Sequence, residues 1–482
     1  YRNRNPYDAD GDGFSELGKL NMNTFGLRAY YRPTQFSRIS LEYHTTNDFR
    51  RGGNKFDLQP HETDITEQTK HIINSGGLTY DVFFNEYKHK LSVYASAQHT
   101  DRNSYYGADK AENAYGKTKD LTAVGGAMYV GNMDNCLFSP ATFTGGVEYQ
   151  YNSLHDVMTG YGRDLRQDVK IASGFVQNEW KLDYFTILAG FRLDKHNLVD
   201  NVIFSPRINT LWKPSDKFQG RLTWSTGFRA PQAYDEDLHV AAVGGEAMEV
   251  RLAEGLKPER SNSFSGSVDW SFNFGHFQSN LLIEGFYTAL NDVFYLESLG
   301  KDPVSGTLVQ ERRNGNGARV YGANIDYKIA HGKEAQLQLG FTVQRSRYTE
   351  AVRWSEDEDV AAIKRMPRTP DYYGYFTFSS APLKNFDFSL SGVYTGRMIV
   401  PHFAGYIEKD RLEHTPDFMD FNLKLNYTFV LNDHLKLQVN GGVQNIFNAF
   451  QKDLDKGMNR DSKYFYGLTQ PRTYFIGIKF FN

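Results

Sequence analysis

The chain has 482 residues, with 54 Lys and Arg against 57 Asp and Glu and a formal charge of −3. That balance argues against a nucleic-acid partner, which calls for a basic excess on one face, and the single Cys136 excludes a disulfide framework or a Cys-rich metal cluster. No run of about 18 apolar residues occurs, which excludes a helical membrane span but not a β-barrel, whose lipid face uses every second residue.

In chain order, the first feature is an acidic turn. Asp8, Asp10 and Asp12 are spaced two apart, with Gly11 and Gly13 between and after them, and Glu16 follows. Three carboxylates so placed form the first half of a calcium loop, although the twelfth position is Lys19 where an EF-hand has Glu. Asp8, Asp10, Asp12 and Glu16 are therefore candidate calcium ligands, against the plainer reading of a solvated acidic turn. Then strands begin. Thr24–Tyr31 puts Phe25, Leu27, Ala29 and Tyr31 on one face; Leu91–Gln98, Phe386–Val393 and Phe421–Phe429 alternate in the same way. Period-2 alternation marks a strand between two environments. About twenty such segments occur, many near the ten residues a tilted strand needs to cross a bilayer. Helical periodicity is weak; the best stretch, Ala233–Val243, is short.

Connections alternate in length. Short turns such as Asn85-Glu86, Leu182–Tyr184 and Phe274–His276 are interleaved with long polar stretches at Arg50–Thr69, Thr100–Lys117, Asn152–Asp168, Arg229–Arg260, Arg345–Thr369, Gly396–Pro416 and Ala449–Leu468. An up-and-down barrel puts every second connection on the same rim, and outer-membrane barrels keep short turns inside and long loops outside. Aromatic pairs at strand ends, including Tyr30-Tyr31 and Phe480-Phe481, fit interfacial girdles. The fold class expected is all-β, one large antiparallel transmembrane barrel over residues 1–482. No nucleophile elbow, His-Glu-x-x-His or phosphate loop is present, so no enzyme activity is expected.

Several stretches resemble TonB-dependent outer-membrane receptors. Ser225-Thr-Gly-Phe-Arg-Ala-Pro-Gln232 resembles the family's Arg-Ala-Pro box, and Leu256-Lys-Pro-Glu-Arg-Ser261 the segment that follows it. Asn314–Asn324, Val443–Asn448 and Pro471–Phe475 are similar to three later motifs, with Asn324 where the family usually has Glu. The resemblance implies a twenty-two-stranded barrel around an N-terminal plug. Neither the plug nor its coupling box is found in this chain, and one to three strands are expected to precede it. It also implies energised uptake of a large, scarce metal chelate, an inner-membrane TonB energy-coupling complex as partner through the plug, and integral residence in the outer membrane bilayer. A surface lipoprotein partner is left open. The Asp-rich turn resembles that of vitamin B12 receptors, so cobalamin or another corrinoid is the preferred ligand, with haem or an iron–siderophore as alternative. A passive porin-like channel and a surface adhesin are the rivals from other classes. No cofactor is required, and calcium in an extracellular loop is left open. The expected ligand rim is Arg229, Tyr234, Asp235, Glu236, Asp237 and His239, with Tyr105 and Tyr106. Tyr234 or His239 would be the axial ligand if the cargo were haem, and Arg229 has a structural alternative as a salt bridge at the loop base.

Overall fold

A computed structural model describes residues 1–234, 248–303, 308–355, 357–467 and 470–481. Its main element is a 21-stranded sheet. Each long strand is antiparallel to the next along the chain, from Lys19–Thr34 paired with Ser37–Gly53 to Leu435–Gln444 paired with Thr473–Phe481. Ile363–Arg365 is a short addition beside Ala335–Val352. The wall proper begins with Arg2–Arg4, which pairs with the start of the strand Lys19–Thr34. This is the all-β antiparallel wall expected.

Alternation in the sequence sets which side chains point out. Phe25, Leu27, Leu41, Leu78, Val93 and Val147 stand exposed on the outer face, where lipid covers them. The inner face is polar and cross-linked. Asp81, 2% exposed, accepts hydrogen bonds from Arg38 at 2.9 Å and Ser92 at 2.7 Å. Arg192 binds Glu148 at 3.0 Å and Asp194 at 2.8 Å. Such an inside-out arrangement suits a barrel in lipid, where the wall must also satisfy every backbone group.

Several strands run further than the alternation shows. Ile65–Phe84, His89–Ala108 and Ser139–Met158 have 20 residues each and Tyr115–Cys136 has 22. The stretch Asn152–Asp168, expected as a long loop, is mostly ladder, with only the 3-10 turn Thr159–Tyr161 and Gly162 between strands. Thr100–Lys117 is likewise paired as far as Tyr105↔Tyr115. Backbone pairing does not need apolar side chains, so the ladders continue above the bilayer with polar faces on both sides.

Among the described residues no ladder joins Lys19–Thr34 to Thr473–Phe481. Both strands run from the long-loop rim to the short-turn rim, so they are parallel to each other. Thr24–Tyr31 therefore has no antiparallel register with Tyr474–Phe480, and Ile476 and Ile478 are 81% and 66% exposed along that edge.

Candidate functional site

Three of the sequence motifs meet at the long-loop rim. Arg229, last residue of the strand Phe218–Arg229, is the cross-strand partner of Glu259, and their charged groups lie 3.9 Å apart. The Arg229 guanidinium sits 4.0 Å over the Tyr234 ring and 5.6 Å from the Phe294 ring. Arg312 reaches the same Tyr234 ring at 5.4 Å. Glu259 also accepts from the Phe294 amide at 2.6 Å. Next to them Asn314 accepts from the Lys257 amide at 2.7 Å and donates to the carbonyls of Lys257 and Asp292 at 2.9 and 2.8 Å. Asn445 has the same role at the last loop, donating to the Ala449 and Gln470 carbonyls at 2.9 Å each. It takes a left-handed φ of 49° that Asn tolerates better than most residues. These motif residues stitch loop bases together; the structural alternative for Arg229 is the arrangement seen.

Above the stitches the loops enclose a cavity of about 1170 Å³. One wall is a small sheet of Phe294–Lys301 and Leu308–Asn314, with Met248–Leu252 added in parallel. The lining carries five cationic and five anionic side chains, so the space is close to neutral. One of its carboxylates, Asp410, accepts from Ser355 Oγ at 2.5 Å and from the Ala404 amide at 2.6 Å. Tyr295, Tyr348, Trp354 and Phe403 add aromatic surface. Burial lowers the Lys463 amine below its ordinary value and raises the Tyr348 phenol. Volume, aromatic walls and balanced charge suit a bulky polar ligand with its own charges.

The acidic turn lies at this rim, and the last loop covers it. Gly11 and Gly13 take positive φ of 76° and 89°, which lets Asp8 accept from both their amides at 2.7 and 2.8 Å. Arg460 binds Asp12 and, at 3.1 Å, Glu16; its guanidinium lies 4.8 Å from the Phe14 ring. The Gly457 amide donates to Asp12 at 2.7 Å, and Lys456 lies 3.7 Å from Asp10. Burial, then the neighbouring Asp12, push Asp10 above the usual carboxylate range. Glu16 is raised by burial despite its bonds to Ala9 and Arg460. Asp12 is lowered, because the Gly457 and Phe14 amides together with Arg460 outweigh its burial. As cation ligands, oxygens of Asp8, Asp10 and Glu16 lie within 4.8 Å of one another. Asp12 is outside that group, its charge already met by Arg460.

The remaining candidates separate by position. Tyr105 and Tyr106 are 1% and 3% exposed, not on the open rim. Tyr105 packs its ring 4.8 Å from Tyr115 and donates to the Ala111 carbonyl at 3.0 Å, while Tyr106 packs with Met158 and Tyr161. The strand extension described above is the reason: the two tyrosines belong to a ladder with a closed tip, and Tyr115, 42% exposed, is the ring that faces solvent. Tyr234 donates to the Ala230 carbonyl at 2.5 Å, so an axial role would require leaving that bond. Asp235, Glu236, Asp237 and His239 lie outside the described residues. Sequence reasoning missed Arg460 and the buried pair of His402 and Asp455. His402 Nε2 is 2.9 Å from Asp455, and its ring stacks on Tyr464 at 3.5 Å. Arg460 closes the charge run Lys452–Arg460 and so reads in sequence as one more solvated loop charge.

A membrane barrel whose outer loops surround a ligand-sized cavity has the geometry of a receptor or channel. The family model described as "TonB dependent receptor-like, beta-barrel" matches residues 1–446, and the chain belongs to that family of integral outer-membrane proteins. A 201-residue stretch is 29% identical to the "Iron-regulated outer membrane virulence protein" of Vibrio cholerae, covering 41% of this chain and 29% of that protein's length. The siderophore receptor PirA from Acinetobacter baumannii superposes with a TM-score of 0.71 at 14% identity, over 97% of this chain and 72% of that one. The FrpB iron transporter from Neisseria meningitidis gives a TM-score of 0.71 at 16% identity, over 99% and 76%. At those identities the two structures show a common fold.

Proposed function

We propose that the protein containing this chain is an outer-membrane receptor for energised uptake of an iron chelate of the siderophore class, working with the inner-membrane TonB complex. The observation that carries the reading is the neutral, aromatic-walled cavity of about 1170 Å³ at the loop rim, and the iron-related names of its relatives support it. The preference for a corrinoid rests on the acidic turn. With Asp12 and Glu16 both held by Arg460, that turn no longer distinguishes corrinoid from iron chelate. The test is a fluorescence titration of the intact receptor with a ferric catecholate, haem and cyanocobalamin. Saturable binding of the ferric chelate that weakens at least tenfold in Trp354→Ala/Tyr348→Ala supports the proposal; saturable binding of cyanocobalamin or haem alone overturns it.

Calcium at the turn belongs to the same proposal. Asp8, Asp10 and Glu16 would hold the ion, and Asp10 Oδ2 is buried without a hydrogen-bond partner among the described residues. Three carboxylates supply fewer than the six to eight oxygens calcium takes, so affinity in the range of about 10⁻⁴ to 10⁻³ M is expected.

A further inference from the structure

The lipid-facing wall carries a feature that uptake does not use. Five successive strands, Phe218–Arg229, Glu259–Phe274, Phe277–Asn291, Ala318–His331 and Ala335–Val352, align their outward side chains in cross-strand rows. One row holds Trp224, Phe264, Tyr287 and Tyr321, each opposite the next. The row beneath, towards the short turns, holds Leu222, Gly266, Gly285, Ala323 and Val343. Large rings above small residues leave a furrow of about 970 Å³ on the outside of the barrel. At Gly285 a Cβ would meet nothing within 4 Å, so the floor there is open.

On the loop side of the aromatic row lies a concentration of positive charge. Arg319, Arg347 and Arg365 are consecutive cross-strand partners, and Arg345 is opposite Tyr321. Among the described residues the carboxylate serving this group is Asp371, 3.1 Å from Arg345 and 3.2 Å from Arg365. Arg319 and Arg347 are exposed and directly opposite each other, with no acidic partner among the described residues. Like charges facing across a ladder destabilise it, so an anion that both can reach would relieve the pair. Two residues along a strand is about 7 Å, which puts the guanidinium groups at headgroup depth when the aromatic row marks the interface. Strands tilted by about 40° also turn the furrow away from the membrane plane, towards the direction of an acyl chain.

We infer that this face holds one anionic lipid, its phosphate between Arg319 and Arg347 and an acyl chain in the glycine-floored furrow. Arginine forks match phosphate oxygens in pairs, and the furrow accepts a chain that a fully filled wall would exclude. The experiment uses the intact receptor, stripped of lipid in nonionic detergent and incubated with phosphatidylglycerol or phosphatidylcholine. Retained lipid is counted by native mass spectrometry. The expected result is one phosphatidylglycerol per chain, retained about tenfold better than phosphatidylcholine. Arg319→Gln/Arg347→Gln should abolish that preference. Gly285→Leu, whose side chain enters open space, should lower phosphatidylglycerol retention while the barrel keeps its heat-dependent gel mobility. Equal retention of the two lipids by the unaltered receptor overturns the inference, as does undiminished retention in either folded variant. Should the arginine variant fail to fold, Gly285→Leu decides the question.

Discussion

Replacing Arg460 by Gln tests how the last loop is fastened to the acidic turn. The guanidinium is 12% exposed, and the Asp12 and Glu16 side chains it binds are 10% and 2% exposed. Removing one partner of a buried ion pair costs roughly 3–5 kcal/mol, because the charge left behind is uncompensated. Asp12 would keep its Gly457 and Phe14 amides, which places the expected loss near the low end, about 3 kcal/mol, or roughly 100-fold in local opening. Hydrogen exchange read by mass spectrometry should show the amides of Ala9, Gly13 and Gly457 exchanging faster by that factor, with the membrane strands unchanged. The variant also frees Asp12 and removes the cationic group that competes with calcium for Glu16, so calcium should restore part of the protection. The pH dependence has two opposite parts. Asp12, lowered in the folded loop, contributes stability above its ordinary range that is lost as pH falls through its depressed value. Glu16 and Asp10, raised, contribute stability at low pH that is lost as pH rises through their elevated values. Docking in the unaltered protein should therefore weaken on both sides of an optimum within the ordinary carboxylate range. Exchange rates within threefold of the unaltered protein would refute the argument that Arg460 fastens the two segments.

Asn314→Ala removes three backbone contacts at about 1 kcal/mol each, and limited proteolysis should then cleave faster between residues 248 and 257, with Asn314→Asp recovering part of the difference. Arg229→Gln removes the stacking on Tyr234 and the Glu259 pair and should cost about 1–2 kcal/mol of loop stability, seen as a lower local melting temperature; a change in ligand affinity with unchanged stability would contradict the loop-base role. Tyr105→Phe should cost about 1 kcal/mol through its hydrogen bond to Ala111 and leave chelate affinity within twofold; a larger drop would return this tyrosine to the ligand rim. Chelator against excess calcium should change protection of residues 8–16 in the unaltered protein only weakly, and identical exchange in both, including in Asp10→Ala, would leave the turn as a solvated loop.

Alternation of apolar and polar residues settled the barrel, because a strand between lipid and lumen writes its two faces directly into every second position: Phe421, Leu423, Leu425 and Tyr427 against Asn422, Lys424 and Asn426. The rhythm of short and long connections gave the two rims for the same local reason. Strand ends were less legible, since above the bilayer both faces are polar and the ladder from Tyr105 to Tyr115 looks like loop. Motif residues announced their importance but not their task; that Arg229 meets Glu259 and that Asn314 binds Lys257 and Asp292 follows from register across strands separated by whole loops. Arg460 and Asp12 are 448 residues apart, and no local pattern encodes a contact at that distance. The Arg319–Arg347 pair above a floor of Gly266 and Gly285 depends equally on register, because each residue is unremarkable alone and acquires its meaning only from the neighbour that the sheet places beside it.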